Sequence, residues 1–183
     1  MRSKALLLLS LAAAAPVHQP TVPVPVQPIV KATMPTKGAS TGLPLPRFAS
    51  LKTSPVELRV GPGFRYPVVW VYQDRNLPVE IIREYDVWRQ VRTPDGSEGW
   101  VQSLKIQGKR EFIIQGDKNG SPRDLHSTTK ADSSVVARLQ PGVIGHITRC
   151  AIGSQWCEVE VGNVDGWLLR SDFFGALPDE VLP

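Results

Sequence analysis

The chain has 183 residues, enough for one domain of ordinary size or for two small ones. Its formal net charge of +4 comes from the first 46 residues, because residues 47–183 hold 17 basic and 17 acidic side chains. A region with balanced charge offers no general field for phosphate groups, which argues against a nucleic-acid-binding role.

Residues 1–15, MRSKALLLLSLAAAA, predict a secretory signal peptide. Arg2 and Lys4 precede an apolar run of about ten residues, and proline-rich sequence follows. That run is half of the roughly twenty residues that a helix needs to cross a membrane, so we expect cleavage and no stable membrane span. An uncleaved anchor is the alternative. Cleavage predicts a periplasmic or secreted protein.

Residues 16–46 contain eight prolines and no aromatic residue. Such a segment buries too little apolar surface to offset the entropy lost on ordering, and its X-Pro steps favour extended backbone. We therefore predict a proline-rich disordered linker. The alternative is a proline-rich ligand for another domain.

Beyond the linker, the sequence repeats itself at an offset of about 67 residues. The offset aligns Leu58 with Leu125, the Val-Val pair at 68–69 with the pair at 135–136, and the Gly-Trp pair at 99–100 with the pair at 166–167. One extra residue shifts Trp88 to Trp156. The repeat predicts two tandem copies of one small domain.

Each copy is predicted to be all-β, because its apolar residues form short runs interrupted by turn-forming residues. In the first copy, strands are predicted at 68–72, 79–83, 88–92 and 100–104. The Pro94-Asp95-Gly96 segment between two of them is strong turn chemistry. About five strands in some sixty residues predict a small closed barrel, because closure removes exposed sheet edges.

Four segments of the first copy resemble, in order, the signature segments of bacterial SH3-like domains. They are LRVGPG at 58–63, YPV at 66–68, WRQV at 88–91 and DGSEGWV at 95–101. The second copy keeps the tryptophan segments but has RDLHS at 123–127 in place of the glycine loop, so it is the diverged copy. The resemblance covers about 48–175 and implies protein or cell-wall-peptide binding outside the cytoplasm rather than catalysis.

The predicted architecture is therefore two tandem SH3-like barrels after a signal peptide and a linker. The first barrel is expected at 47–107, the diverged barrel at 108–175 and a C-terminal tail at 176–183.

Trp88 is the first candidate ligand-binding residue. Side chains alternate along a strand, so Trp88 shares a polar face with Gln90 and Arg92, opposite Val91. A tryptophan on a polar face offers a large apolar platform with one hydrogen-bond donor. The alternative is a rim residue packed under a loop, and the same two readings apply to Trp156.

A peptide groove is predicted on the first copy, lined by Tyr66, Trp88 and Trp100, with Arg59 or Arg65 available for a carboxylate. For Trp100 the structural alternative is stronger, because the glycine before it marks a bend or the close approach of another segment.

Cys150 and Cys157 are the only cysteines, with six residues between them that include a Gly-Ser turn. In an oxidising compartment this pair predicts a disulfide across one hairpin. Free thiols, or a metal or catalytic role, are the alternatives. The three histidines show no metal-ligand spacing, and the two barrels leave no chain to build a catalytic cleft.

We therefore expect a non-enzymatic protein with no metal and no cofactor. Its expected partner is a peptide, a protein or the stem peptide of peptidoglycan in the bacterial envelope. Two alternatives stay open: a structural or regulatory protein that packs on an envelope partner without a ligand groove, and an enzyme that uses Cys157.

Overall fold

The computed structural model describes residues 36–117 and 119–183, so the predicted signal peptide and most of the predicted linker lie outside the described residues. The described chain forms two antiparallel sheets of seven strands each. The first domain contains β1 (Arg47–Leu51), β2 (Val56–Arg59), β3 (Val68–Tyr72), β4 (Pro78–Tyr85), β5 (Trp88–Arg92), β6 (Glu98–Gln102) and β7 (Ile106–Gln107). The second contains β8 (Glu111–Ile114), β9 (Arg123–His126), β10 (Val135–Leu139), β11 (Ile144–Cys150), β12 (Trp156–Val161), β13 (Val164–Leu169) and β14 (Phe173–Phe174). Short 3₁₀ turns at Ser103–Lys105 and Arg170–Asp172 precede β7 and β14.

The two sheets have the same strand order, β3-β2-β6-β5-β4-β1-β7 in the first domain and β10-β9-β13-β12-β11-β8-β14 in the second. The prediction of two tandem all-β domains is therefore confirmed. Neither sheet closes into the expected barrel, because β3 and β10 each have one neighbour and so do β7 and β14. The last strand of each domain is only two residues long.

Each domain buries its own apolar core. In the first core the fully buried side chains include Leu58, Val79 and Val91, and in the second they include Leu125 and Val159. The β-strand alternation explains this pattern, because every second residue of a strand points into the domain.

Gly99 and Gly166 occupy the same position in the repeat, and the same steric constraint favours glycine at both. A Cβ atom at Gly99 would lie 2.5 Å from Leu58 Cγ, and one at Gly166 would lie 2.6 Å from Leu125 Cγ. The close approach expected from the Gly-Trp pairs is therefore present in both domains, where β2 crosses β6 and β9 crosses β13.

Residues 36–46 differ from the expected disordered linker, because they fold onto the first domain. Leu45 belongs to the first core, and Lys37 forms a β-bridge with Pro44. The carboxylate of Glu84 accepts hydrogen bonds from the backbone N–H groups of Ser40 (3.0 Å) and Thr41 (2.9 Å). Within the described residues, the segment 36–46 of the predicted linker is therefore ordered on the first domain.

Residues 176–183, expected as a tail, likewise pack on the second domain. The backbones of Leu182 and Cys150 exchange two hydrogen bonds of 2.9 and 3.0 Å. Arg110 pairs with Glu180 at 2.5 Å. Arg170 donates to the backbone carbonyl of Leu177 at 2.9 Å. These contacts extend the second domain to the end of the sequence.

The two domains pack against each other through aromatic and aliphatic side chains. The rings of Phe48 and Phe174 meet edge to face with their centroids 4.8 Å apart, and the Arg110 guanidinium lies 5.8 Å from the Phe48 centroid. Ile113 and Ile144 of the second domain pack on the core of the first. The two domains therefore share an apolar contact surface. Among the described residues, no helix has the length and apolarity needed to cross a membrane.

Candidate functional site

Trp88 lies at the start of β5, where a loop of residues 60–67, here called the covering loop, folds over it. Val91 and Thr93 point into the core, as the alternation predicts. Trp88 is on the other face, yet it is only 6% exposed. The Phe64 ring covers it edge to face, with the centroids 5.3 Å apart. The structure thus places Trp88 as the loop-covered rim residue that was the alternative to a free platform.

Phe64 is the aromatic side chain that the sequence did not single out. It is 69% exposed, although it touches a buried tryptophan. A large ring with this exposure retains apolar area that a ligand can bury. Phe64 and Trp88 together form an aromatic corner with one fixed and one accessible ring.

Arg59 holds the covering loop in place. Its Nη1 donates to the backbone carbonyl oxygens of Phe64 (3.0 Å) and Tyr66 (2.8 Å), and its guanidinium lies 5.6 Å from the Phe64 ring centroid. Its Nη2 pairs with the carboxylate of Glu57. With its donors engaged in this way, Arg59 positions the loop and has little capacity left for a ligand carboxylate.

Tyr66 and Arg65 form a separate pair on the far side of the covering loop. The Arg65 guanidinium lies 5.1 Å from the Tyr66 ring centroid, and Nη2 donates to the phenolic oxygen at 3.3 Å. The Tyr66 ring fills the space beside Gly61, where a Cβ atom would lie 2.5 Å from Cδ1 of the ring. The Tyr66 ring therefore packs against the covering loop at Gly61.

A cavity of about 310 Å³ opens beside the aromatic corner, and we call it the aromatic cavity. It is lined by Pro55, Glu57, Arg59, Phe64, Trp88, Gln102 and Lys105. Of the predicted site residues, the structure brings Trp88 and Arg59 together here. Arg65, Tyr66 and Trp100 do not line this cavity. Trp100 is half-buried and faces Arg59 and Gln90 across the sheet.

Lys105 is the cation of the aromatic cavity without a counter-ion. Within the described part of the chain, no carboxylate lies within 4.0 Å of its Nζ, whereas Arg59 is paired with Glu57. Gln102 contributes an amide at the same wall, one turn before Lys105. The lining therefore combines aromatic area, one neutral amide and one uncompensated positive charge.

The second domain carries a related but altered arrangement. The rings of His126 and Trp156 meet edge to face with centroids 5.4 Å apart, as Phe64 and Trp88 do in the first domain. The repeat offset places Asp172 where the first domain has Lys105. Burial raises the pKa of Asp172, and the nearby Arg123 opposes that shift. The two domains thus present opposite charges at one position.

A second and larger cavity of about 870 Å³ lies between the domains, and we call it the interdomain groove. Residues of segments 41–49, 103–110 and 177–180 line it, together with Ile81 and Arg89. Its three arginines are each engaged in a hydrogen bond or ion pair within the protein, and Arg110 pairs with Glu180 of the groove lining itself. Arg47 binds Glu84 at 2.6 Å, Arg89 donates to the Asp86 carbonyl at 2.8 Å, and Arg110 binds Glu180. Asp179 and Glu180 also line the groove, but most of its accessible surface is apolar.

The predicted disulfide between Cys150 and Cys157 is confirmed. The two residues face each other across the β11–β12 hairpin with a Cα–Cα distance of 4.4 Å, and both are fully buried. They belong to the second core, and the disulfide cross-links two neighbouring strands within it. A thiol role for Cys157 has no support, because both sulfur atoms are used in the bond.

Comparison with known proteins identifies two matching segments. The sequence pattern of the family described as "Bacterial SH3 domain" matches residues 52–108 and 125–172. No curated protein matches the chain. Among solved structures, the chain is similar to "Structure of NlpC2 from Trichomonas vaginalis", with 9% identity and a TM-score of 0.32 over 72% of this chain. The match covers 48% of that protein, so the chain spans about half of its length.

Proposed function

Because the chain belongs to the bacterial SH3 domain family, we propose that it is a non-catalytic binding protein whose first domain recognises a short peptide. The observation that carries this proposal is the aromatic cavity, where the accessible Phe64 ring meets the buried Trp88 ring beside an unpaired Lys105. Small-ligand sites usually combine aromatic surface with a few placed polar groups, and this cavity sets two aromatic rings beside Gln102 and Lys105.

The proposed mechanism is recognition by preorganised side chains. Arg59 fixes the covering loop through two backbone carbonyls, so Phe64 already stands at the cavity before a ligand arrives. A site that is ordered in advance loses less conformational entropy on binding. The ligand would bury the exposed face of Phe64, and Gln102 would orient its polar groups. A volume of about 310 Å³ suits one or two residues, so binding by this site alone would be weak.

We place this function in the bacterial envelope or outside the cell. The disulfide between Cys150 and Cys157 supports an oxidising compartment. The sequence prediction of a signal peptide at residues 1–15 agrees with it. The ligand classes that fit are a protein tail or the stem peptide of peptidoglycan, since both offer a short peptide with polar ends.

The alternative function is structural: the protein packs on an envelope partner and has no ligand site. The interdomain groove favours this alternative, because about 870 Å³ of mainly apolar space between the two domains suits an apolar segment of a partner. The two functions use different surfaces, so variants separate them.

Retention on purified peptidoglycan tests the proposal. Phe64→Ala removes an exposed ring and leaves the core intact, and Ile152→Ala is the matched control because Ile152 is 83% exposed on the second domain. We expect retention of the Phe64 variant to fall about tenfold or more and the control to match wild type. Leu43→Asp alters the interdomain groove instead. Equal retention of the Phe64 variant and wild type would contradict binding at the aromatic cavity, and loss of retention in the Leu43 variant would instead indicate that the interdomain groove makes the contact.

A further inference from the structure

The cations around the covering loop differ in whether their hydrogen-bond donors and charge are already engaged within the protein. Arg59 donates to two loop carbonyls and pairs with Glu57. Arg65 is bound to Tyr66 and does not line the aromatic cavity. Lys105 lines the cavity and, among the described residues, has no carboxylate within 4.0 Å. Of the described residues that line the cavity, Lys105 is therefore the one cation with free capacity for a ligand.

The charge of the cavity lining leads to the same residue. Its charged members are Glu57, Arg59 and Lys105, and the first two neutralise each other. The surplus is a single positive charge at Lys105. The neutral amide of Gln102, which lines the same wall, is able to donate a hydrogen bond to an acceptor that the ammonium group holds.

The internal repeat shows that this position is not a fixed structural charge. Lys105 ends the 3₁₀ turn Ser103–Lys105, and Asp172 ends the equivalent turn Arg170–Asp172 in the second domain. The turn forms with either sign of charge, so the fold does not require a lysine here. The second domain also pairs its acid with a cation of its own, since Arg123 Nε lies 3.6 Å from Asp172. Only the first domain leaves the charge uncompensated.

The size of the cavity limits the ligand to a short segment. About 310 Å³ is at the low end of the range for ligand pockets, enough for one or two residues beside the rings of Phe64 and Trp88. A short segment that brings one negative charge and an apolar body is the carboxyl-terminal residue of a peptide.

Resting on the proposed peptide site, we infer that Lys105 binds the terminal carboxylate of the ligand and makes the site selective for peptides with a free carboxyl end. Lys105 supplies the charge-assisted contact and Gln102 the second hydrogen bond. The terminal side chain lies against Phe64. An internal stretch of peptide, which has no terminal carboxylate, binds less tightly for this reason.

Two probes test the inference: N-acetyl-trialanine with a free carboxylate, and the same peptide with a C-terminal amide. Binding is followed by nuclear magnetic resonance through the indole N–H of Trp88 in the full chain. We expect the acid to bind about tenfold more tightly than the amide or better. Lys105→Met removes that difference, and Lys105→Arg keeps most of it. Lys52→Met is the matched control, because Lys52 is exposed and does not line the cavity.

The outcomes separate this inference from the proposed function. If acid and amide shift Trp88 with equal affinity, the Lys105 inference is overturned while the peptide site stands. If Lys52→Met lowers the preference as much as Lys105→Met, the effect is long-range charge and the anchor is again overturned. If neither probe shifts Trp88 or Phe64 at any concentration, both the inference and the proposed peptide site fail.

Discussion

Glu84 links the segment 36–46 to the first domain, and its replacement by glutamine gives a prediction that can be worked through in detail. The side chain of Glu84 is fully buried. Its carboxylate accepts hydrogen bonds from Arg47 (2.6 Å), from the Thr41 hydroxyl (2.8 Å) and from the backbone N–H groups of Ser40 and Thr41. Glutamine at this position has one acceptor oxygen where glutamate has two. Its NH2 group would face groups that donate hydrogen bonds to Glu84 in the wild type rather than accept them.

The magnitude follows from the pKa of Glu84. Burial raises this pKa, but the hydrogen bonds from Arg47, Thr41 and Ser40 outweigh burial and lower it from 4.5 to about 2. A depressed pKa means that the folded state prefers the ionised carboxylate. Its stabilisation is therefore complete above pH 4.5 and is lost as the pH falls towards 2. That shift corresponds to about 3 kcal/mol at neutral pH.

We expect Glu84→Gln to lower the free energy of unfolding by about 2–3 kcal/mol at neutral pH. The gap to wild type should close as the pH falls below 4.5 towards 2. Urea unfolding across this pH range measures it. The matched control is Glu98→Gln, since Glu98 is 40% exposed in its ion pair with Arg92 and should cost less than about 1 kcal/mol.

A second readout follows the segment itself. Lys37 is exposed in the segment that Glu84 holds, so trypsin should cleave after Lys37 faster in the glutamine variant. The reasoning would be refuted by a gap to wild type below about 0.5 kcal/mol at neutral pH, or by a gap that does not change between neutral and acidic pH.

Three further predictions concern stability. Reduction of the Cys150–Cys157 disulfide should lower the unfolding free energy by about 2–3 kcal/mol, measured by urea unfolding with and without reductant; an unchanged midpoint contradicts it. Gly99→Ala should cost about 1–3 kcal/mol because no space exists for its Cβ, whereas Gly108→Ala, with open space, should cost under about 0.5 kcal/mol. Phe174→Ala removes the edge contact between the domains, so calorimetry should show one unfolding transition separate into two; a single unchanged transition argues against this packing.

The elements that rest on local or repeated patterns could be predicted from the sequence. The β3 and β5 strands have the predicted bounds of 68–72 and 88–92, because turn-forming residues flank both runs. The repeat predicted two domains of one topology, because the apolar and Gly-Trp positions that recur at the 67-residue offset place the strands in the same order. The disulfide followed from two cysteines placed across one turn.

The features that rest on contacts between distant residues could not be predicted. Phe64 lies in a loop without periodicity, so no pattern showed that it covers Trp88. The order of residues 36–46 depends on hydrogen bonds to Glu84 from residues more than forty positions earlier. One signal was available: a carboxylate within the apolar run of β4 requires partners when it is buried.

Among the cations of the predicted groove, the sequence drew attention to Arg59 and Arg65 rather than to Lys105. Arg59 and Arg65 stood out because they flank the glycine loop, yet the structure engages Arg59 with loop carbonyls and Arg65 with Tyr66. Lys105 follows the last predicted strand and carries no motif. The sequence shows that Lys105 and Asp172 differ in charge at the same repeat position. The functional significance of that difference depends on the cavity that Lys105 lines, which the sequence does not show.

The central claim is that the aromatic cavity of the first domain binds a peptide, and a chemical-shift map tests it most directly. The full chain is titrated with soluble stem peptides released from peptidoglycan, and every backbone and indole N–H is followed. The account predicts that the largest shifts cluster at Phe64, Trp88, Gln102 and Lys105 while the second domain stays unchanged. Shifts centred on the interdomain groove or on Trp156, with the aromatic cavity silent, would contradict it.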